Sequence, residues 1–358
     1  MTDELGITKE VAPQSGPRRQ KERKSHKPRN VLLAAAALLL VAATVAGGYV
    51  VNLVHTFNSG TKKIATAFPE ESTRPQKAAS IGGNAPLNIL LLGSDSRGAT
   101  ETDAVNGSAT DQRSDTLMLL HIPADRKNIY TISLMRDTWV PVPGHGEAKI
   151  NAALAFGGVP LMVQTVEAFL KQRIDHVAMI NFDGFEGLTN SLGGVNVNVT
   201  FPFTSSDDPN LHFNAGHNTL SGQQALSFVR ERYAFPDGDY QRVRNQQAFI
   251  KGLVAKTINA NTLSNPVTIS NMVGAFSPYV AVDSGLDAAT IAKLAFELKD
   301  IRQQDMVMFT LPTRGTGTST DGQSIVLTDP AQIGKVTKAL SEDKLGDYVA
   351  ANNFEKGN

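Results

Sequence analysis

"LNILLLGSDSR" (residues 87–97) decides how the rest of the chain is read. Its opening run has one polar side chain, Asn88, and is otherwise apolar up to the glycine. A strand with one wet face would alternate, whereas an unbroken apolar run means that both faces are covered. The sheet that holds this strand therefore needs helices on both sides. The run stops abruptly at Ser94, Asp95, Ser96 and Arg97. In open α/β sheets, ligands gather where strands end and loops converge.

Downstream, "DTLMLLHI" (115–122), "IYTISLM" (129–135) and "HVAMINF" (176–182) read as further buried strands. "INAALAFGG" (150–158) and "PLMVQTVEAFLKQ" (160–172) have helical spacing, with Pro160 suited to a first turn. "DGFEGLTNSLGG" (183–194) reads as a short helix opened by an acid and closed by glycine. "VNVNV" (195–199) alternates as a half-exposed strand. "LSGQQALSFV" (220–229) starts a helix with Ser221 as cap. "DYQRVRNQQAFIKGLVAKTI" (239–258) is a long amphipathic helix burying Val243, Ile250, Leu253 and Val254. "TIAKLAFELKD" (290–300) is helical, and "DMVMFTLPT" (305–313) with "QSIVLTD" (323–329) reads as a strand pair joined by a Gly/Thr-rich loop. The fold class expected is α/β: an α-β-α layered domain with a mixed central sheet.

The 358 residues carry no cysteine, which excludes disulfide scaffolds, thiolate zinc sites and cysteine nucleophiles. Formal net charge is zero, but residues 1–30 hold +4 and the remainder −4. A mildly acidic domain argues against nucleic acid as a partner. After the basic "RRQKERKSHKPR" (18–29) comes "VLLAAAALLLVAATVAGGYVVNLV" (31–54), which contains no charge. Twenty-four helical residues span roughly 36 Å, enough for a hydrocarbon core of about 30 Å. The basic flank orients this transmembrane helix with its N-terminus in the cytoplasm and the rest outside the cell membrane. The rival is a cleaved signal peptide, for which the apolar run is long. The expected order is a basic tail (1–30), a membrane anchor (31–54), an extracytoplasmic stalk (55–86), a catalytic domain (87–342) and a C-terminal tail (343–358).

Four clusters at element ends carry chemistry: "GSDSR" (93–97), "DQRSD" (111–115), "MRDTW" (135–139) and "FVRERYAFPDGDYQRVRNQQ" (228–247). Arginine forks match phosphate oxygens and stay charged at any relevant pH. Magnesium takes carboxylate oxygens, waters and substrate phosphates, so Asp95 and Asp115 are the metal candidates. Arg242 and Gln246, four residues apart, share a helix face, and Arg244 points elsewhere. Each residue also has a plainer reading: Asp95 as a turn residue, the Arg113/Asp115 and Arg136/Asp137 pairs as local ion pairs, the later arginines as surface charge. Trp139 reads as core packing before sugar stacking. The histidines lack metal spacing. Walker A, G-x-S-x-G and H-E-x-x-H motifs are absent, which argues against nucleotide hydrolases, serine hydrolases and zincins.

Taken in order behind an N-terminal anchor, "NILLLGSDSR", "RSDTLMLLHI", "ISLMRDTWVPVPG", "KINAA", "FDGF" and "LSGQQALSFVRERYAFPDGDYQRVRNQQ" resemble the LytR–CpsA–Psr family of bacterial cell-envelope proteins. The resemblance runs from about residue 68 to 256. It implies a magnesium-assisted phosphotransferase. A polyprenyl-pyrophosphate-linked glycopolymer donates its sugar-phosphate end to a peptidoglycan hydroxyl, and polyprenyl phosphate is released. It implies that Asp95 and Asp115 hold the metal. It implies that Arg113, Arg136, Arg230, Arg232 and Arg242 contact phosphate with Gln246 beside them, and that Arg97 has a supporting role. Asp137 and Asp239 are expected to hold the arginines in place. It also implies a greasy groove for the prenyl chain, to which the apolar residues of 150–170, Phe182, Phe185 and Leu188 are candidates; from the sequence alone these are better explained as core. Two other readings remain open: a polyprenyl-pyrophosphate pyrophosphatase using the same residues, and a non-enzymatic lipid or glycan binder. The alanine-rich anchor suggests a high-GC Gram-positive source and arabinogalactan-type polymers. No residue stands out as general base; Asp103 and Asp111 are candidates.

Overall fold

The computed structural model describes residues 47–94, 114–257, 265–355 and 357–358. Most of the expected membrane span, 31–46, lies outside the described residues, as do Asp95, Arg97, Asp103, Asp111 and Arg113. Residues 47–51 are helical. From residue 52 the chain forms one compact unit.

That unit is organised by seven strands: β1 (Lys62–Ile64), β2 (Leu87–Ser94), β3 (Ser114–Ile122), β4 (Ile129–Ser133), β5 (His176–Asn181), β6 (Val280–Asp283) and β7 (Met306–Thr310). Their order across the sheet is β1-β6-β5-β2-β3-β4-β7. β1/β6, β5/β2 and β4/β7 run parallel, and the other three pairs run antiparallel. The sheet is therefore mixed.

β2 lies at its centre, and its two faces meet different cores. Leu90 and Leu92 pack with Leu117, Leu119 and Ile132 under helix α1 (Ala152–Leu170). Ile89 and Leu91 pack on the other side with Met306, Met308, Ile250 and Val254. This double coverage is why the strand carries no alternation.

α1 is the one described helix long and apolar enough to cross a membrane, but most of its apolar side chains sit in the core. It is two helical pieces joined at Gly157 and Gly158, where Gly158 takes φ 64°. Pro160 opens the second piece, where its missing N–H costs nothing.

The opposite face carries α2 (Phe182–Ser191), α3 (Gly222–Arg230) and α4 (Asp239–Thr257). A hairpin of Val195–Val199 with Gly216–Leu220 packs beside them, its valines inward and its asparagines outward.

Several expectations need correction. α2 starts at Phe182, and Asn181 rather than Asp183 caps it, accepting from Gly184 N at 2.8 Å. Ser221 occupies the cap position of α3 without a capping bond; Thr189 Oγ1 instead accepts from Gly222 N at 2.9 Å. Of residues 305–313, only Thr313 pairs with 323–329. Met306–Thr310 joins the main sheet as β7, and the Gly/Thr-rich stretch Thr313–Thr318 is itself the strand that pairs with Ser324–Thr328. Its threonines favour extended backbone, a β signal that the glycines obscured.

Within 55–86, read as a stalk, β1 is an edge strand and Arg74 meets buried Glu167 at 2.7 Å. Within 343–358, read as a tail, Leu345, Tyr348 and Val349 belong to the core under the sheet. Asn358 then meets β7: its Oδ1 accepts from Thr310 N at 2.7 Å and its Nδ2 donates to Thr310 O at 3.0 Å.

Candidate active site

The sheet topology brings separate parts of the sequence to one edge. β2, β4, β5 and β7 all end there, and antiparallel β3 begins there, with Ser94 opposite Ser114. Asp115 therefore stands at the start of β3 beside the end of β2. Arg136 and Asp137 follow β4, and Asn181 closes β5. Above this edge α3 ends at Arg230 and α4 begins at Asp239, so the connection between them delivers Arg232.

That connection is organised by Glu231. Its carboxylate accepts from the backbone N–H groups of Ser206 at 2.6 Å, Arg232 at 2.9 Å, Tyr233 at 2.9 Å and Ala234 at 3.1 Å. Burial pushes its pKa up, but these bonds and the Ser206 hydroxyl outweigh burial and hold it below the ordinary value. Sequence reading took "RER" for its arginines and passed over the acid between them.

The charges form a network. Arg136 Nη1 donates to Asp115 Oδ1, and Arg136 Nε lies 3.8 Å from both Asp137 Oδ2 and Asp239 Oδ2. Asp239 also receives Arg242 at 3.1 Å and Arg232 at 3.5 Å. Lys149 stands 3.5 Å from Asp137. Gln246 Nε2 donates to Asp115 O at 3.4 Å and Val229 O at 3.2 Å. Arg230 lies at the edge of the group, its guanidinium 4.5 Å over the Phe182 ring and 3.6 Å from Asp207. Arg244 is turned away and pairs with Asp237.

The electrostatics of two arginines differ. Burial works against the Arg136 cation, but Asp115, Asp137 and Asp239 together raise its pKa. Arg242 is buried at 4 % exposure and its pKa is lowered, first by burial, with Arg136 and Arg232 adding repulsion. The Nε groups of both Arg136 and Arg242 are buried without a hydrogen-bond acceptor among the described residues. Unmatched buried donors are rare in native proteins, and here they sit among clustered cations.

Beneath the charges, between β2, β3 and β5 and helices α2–α4, is an apolar cavity of about 240 Å³. Asp115, Arg230 and Gln246 are the charged and amide side chains among its walls, together with Asn181. Phe182, Phe185 and Leu188 line it; the residues of 150–170 do not, because α1 packs on the opposite face of the sheet. Leu226 and Phe249, which the sequence did not single out, also line it, as do Ile250 and Leu253, expected on the buried side of α4. The spacing of Phe249 and Leu253 marks one helix face, but spacing alone does not separate a cavity wall from a filled core.

Among the described residues no group of three His, Asp or Glu side chains could hold a metal ion. A complete protein cage is therefore not built from them. Asp115 is one hard oxygen donor at the cavity mouth, which suits magnesium better than zinc, since magnesium keeps waters and substrate phosphates in its shell.

Comparison with known proteins agrees with the geometry. The profile of the LytR_cpsA_psr family matches residues 50–342. A polyisoprenyl-teichoic acid–peptidoglycan teichoic acid transferase, TagU, of Enterococcus faecalis is 32% identical over 276 residues, covering 76% of this chain and 83% of that protein. The TagU of Bacillus subtilis is 30% identical over 298 residues, covering 83% and 90%. The crystal structure of B. subtilis TagV superposes with a TM-score of 0.60 at 25% identity, covering 72% of this chain and 97% of that one.

Proposed function

The chain belongs to the LytR–CpsA–Psr family, and on that premise we propose that it transfers a glycopolymer from a polyprenyl-pyrophosphate carrier to a peptidoglycan hydroxyl. The new bond is a phosphodiester, and polyprenyl phosphate leaves. One observation carries the reading: an apolar cavity opens at a mouth furnished with Arg230, Asp115 and Gln246, next to the Arg136/Arg232/Arg242 group. A ligand with a hydrocarbon tail and a polyanionic head fits that division.

Phosphoryl transfer asks a protein mainly for positioning and charge neutralisation. The tail seats between α2, α3 and α4, which fixes the head over the sheet edge. The acceptor oxygen attacks the phosphorus that bears the sugar. The bond from that phosphorus to the bridging oxygen breaks, the bridging oxygen leaves with polyprenyl phosphate, and the hydroxyl proton passes to water. Arg136, Arg232 and Arg242 offer N–H groups to the phosphate oxygens, and Asp137 and Asp239 keep them aimed. Magnesium, held by Asp115 and in this reading Asp95, would supply further neutralisation of the pyrophosphate. The N-terminal span 31–54 would anchor the domain outside the membrane, beside its lipid substrate. Which polymer is carried, teichoic acid or an arabinogalactan-type chain, is left to the donor assay.

The test is product analysis with purified full-length protein, lipid-linked donor and peptidoglycan strands, with and without magnesium. Polymer joined to strands is expected, and Asp115→Ala with Arg136→Ala is expected to lower it by about 100-fold or more. Equal transfer by that double variant would remove these residues from the site. Release of inorganic phosphate without joined polymer would favour the pyrophosphatase.

A further inference from the structure

Gln246 lines the apolar cavity, and its neighbour Gln247 lines a second and larger hollow of about 880 Å³ on the far side of α4. The hairpin strand Val195–Val199 buries its valines and turns Asn196 and Asn198 outward, where with His217 they form one wall. α4 forms another, with Arg244, Lys251 and Lys256 along it. Between those cations stand Ala248 and Ala255, whose small side chains leave room, while Gly252 packs directly against the Asn196 backbone at the floor of the cleft. Among the described residues no aspartate or glutamate side chain lines the cleft. Burial lowers the pKa of Lys251, and no carboxylate among the described residues offsets that burial. Lys256 donates to the Gly194 carbonyl at 2.5 Å, and Arg244 shares its charge with Asp237.

We propose that this cleft binds a segment of an anionic polyol or glycan polymer, with its phosphate or carboxylate groups on Arg244, Lys251 and Lys256 and its hydroxyls on Asn196 and Asn198. Side-chain amides both donate and accept, which suits hydroxyls. Arg244 and Lys251 are two helical turns apart, about 10.5 Å along the axis. That spacing fits repeated charges on a polymer better than one compact anion. A smaller depression lined by Tyr240, Arg244, Thr313 and Asn358 shares Arg244 and Asn358 with the cleft. Tyr240, next in sequence to Asp239 of the charge network, lies in that depression. The expectation that a polymer arrives there rests on the transferase reading; binding itself does not require transfer.

The experiment titrates full-length protein in detergent, without lipid donor, with a glycerol-phosphate octamer, with soluble peptidoglycan strands and with neutral dextran. At least one of the two anionic polymers is expected to bind, and dextran is not. Lys251→Glu should weaken binding tenfold or more and Lys251→Gln about threefold, with affinity falling as salt rises. Binding of the octamer alone assigns the cleft to the donor polymer, and binding of the strands alone to the acceptor. Binding of neither overturns the proposal, as does wild-type affinity in a folded Lys251→Glu protein. If Arg232→Ala abolishes octamer binding while Lys251→Glu does not, the polymer sits in the phosphate site and the cleft proposal falls. Absence of transfer by the wild type would instead sink the transferase reading and leave these titrations standing.

Discussion

Asp239 joins three arginines that the sequence scatters. Arg242 is almost fully buried, and Asp239 is its ion-pair partner at 3.1 Å. A buried pair adds little over an apolar pair, but removing one partner leaves a bare buried charge. Asp239→Ala is therefore expected to cost about 3 kcal/mol in denaturant unfolding. Arg244→Ala breaks a half-exposed pair with Asp237 and should change stability by less than about 1 kcal/mol. The same contrast shows how far residues were legible. That Arg242 and Gln246 share a face, and that Arg244 lies elsewhere, follows from helical period. The meeting of Arg136 with Asp115 and Asp239 does not, because it depends on which strand ends share an edge. Glu231 was illegible for another reason: its role is to accept backbone N–H groups, which leave no trace in residue type.

At the level of elements, the buried runs and helical spacings marked strands and helices well, because burial on both faces is written directly in apolar continuity. Pairing was less readable. Met306–Thr310 joins β4 in parallel across a separation of more than 170 residues, a long-range choice that local pattern cannot encode. Contacts between elements also set limits on sequence. A Cβ on Gly252 would stand 2.1 Å from the Asn196 carbonyl oxygen, so α4 touches the hairpin backbone there. Gly252→Ala should force the two apart at a cost of about 2 kcal/mol, read as a lowered unfolding midpoint. β5 and β6 are tied by His176, whose Nδ1 lies 3.2 Å from Asp283 Oδ2. Burial raises the Asp283 pKa, but His176 and the N–H groups of Val177 and Gly285 outweigh it and hold it below the ordinary value. A folded pKa below the unfolded one adds stability above about pH 4 that is lost as pH falls through the folded value. Thermal melts should therefore drop below about pH 4, and Asp283→Asn should make that drop shallower.

Across the whole molecule, the two faces of the sheet have separate duties. The face under α1 is filled, and the face under α2, α3 and α4 keeps a hollow. Composition cannot tell these faces apart, since leucines and valines line both. If the hollow holds the prenyl tail, Leu253→Trp should fill it. The variant is expected to raise KM for a long-chain lipid donor at least tenfold while a short-chain soluble donor reacts as before; equal loss with both would point to misfolding instead.

The amide of Asn358 gives Thr310 the donor and acceptor that a neighbouring strand would offer. β7 is the last strand of its sheet, and an open margin of that kind invites pairing with another chain. At Thr310 one side chain thus works as a selvedge, occupying the backbone groups that this margin would otherwise offer to another strand.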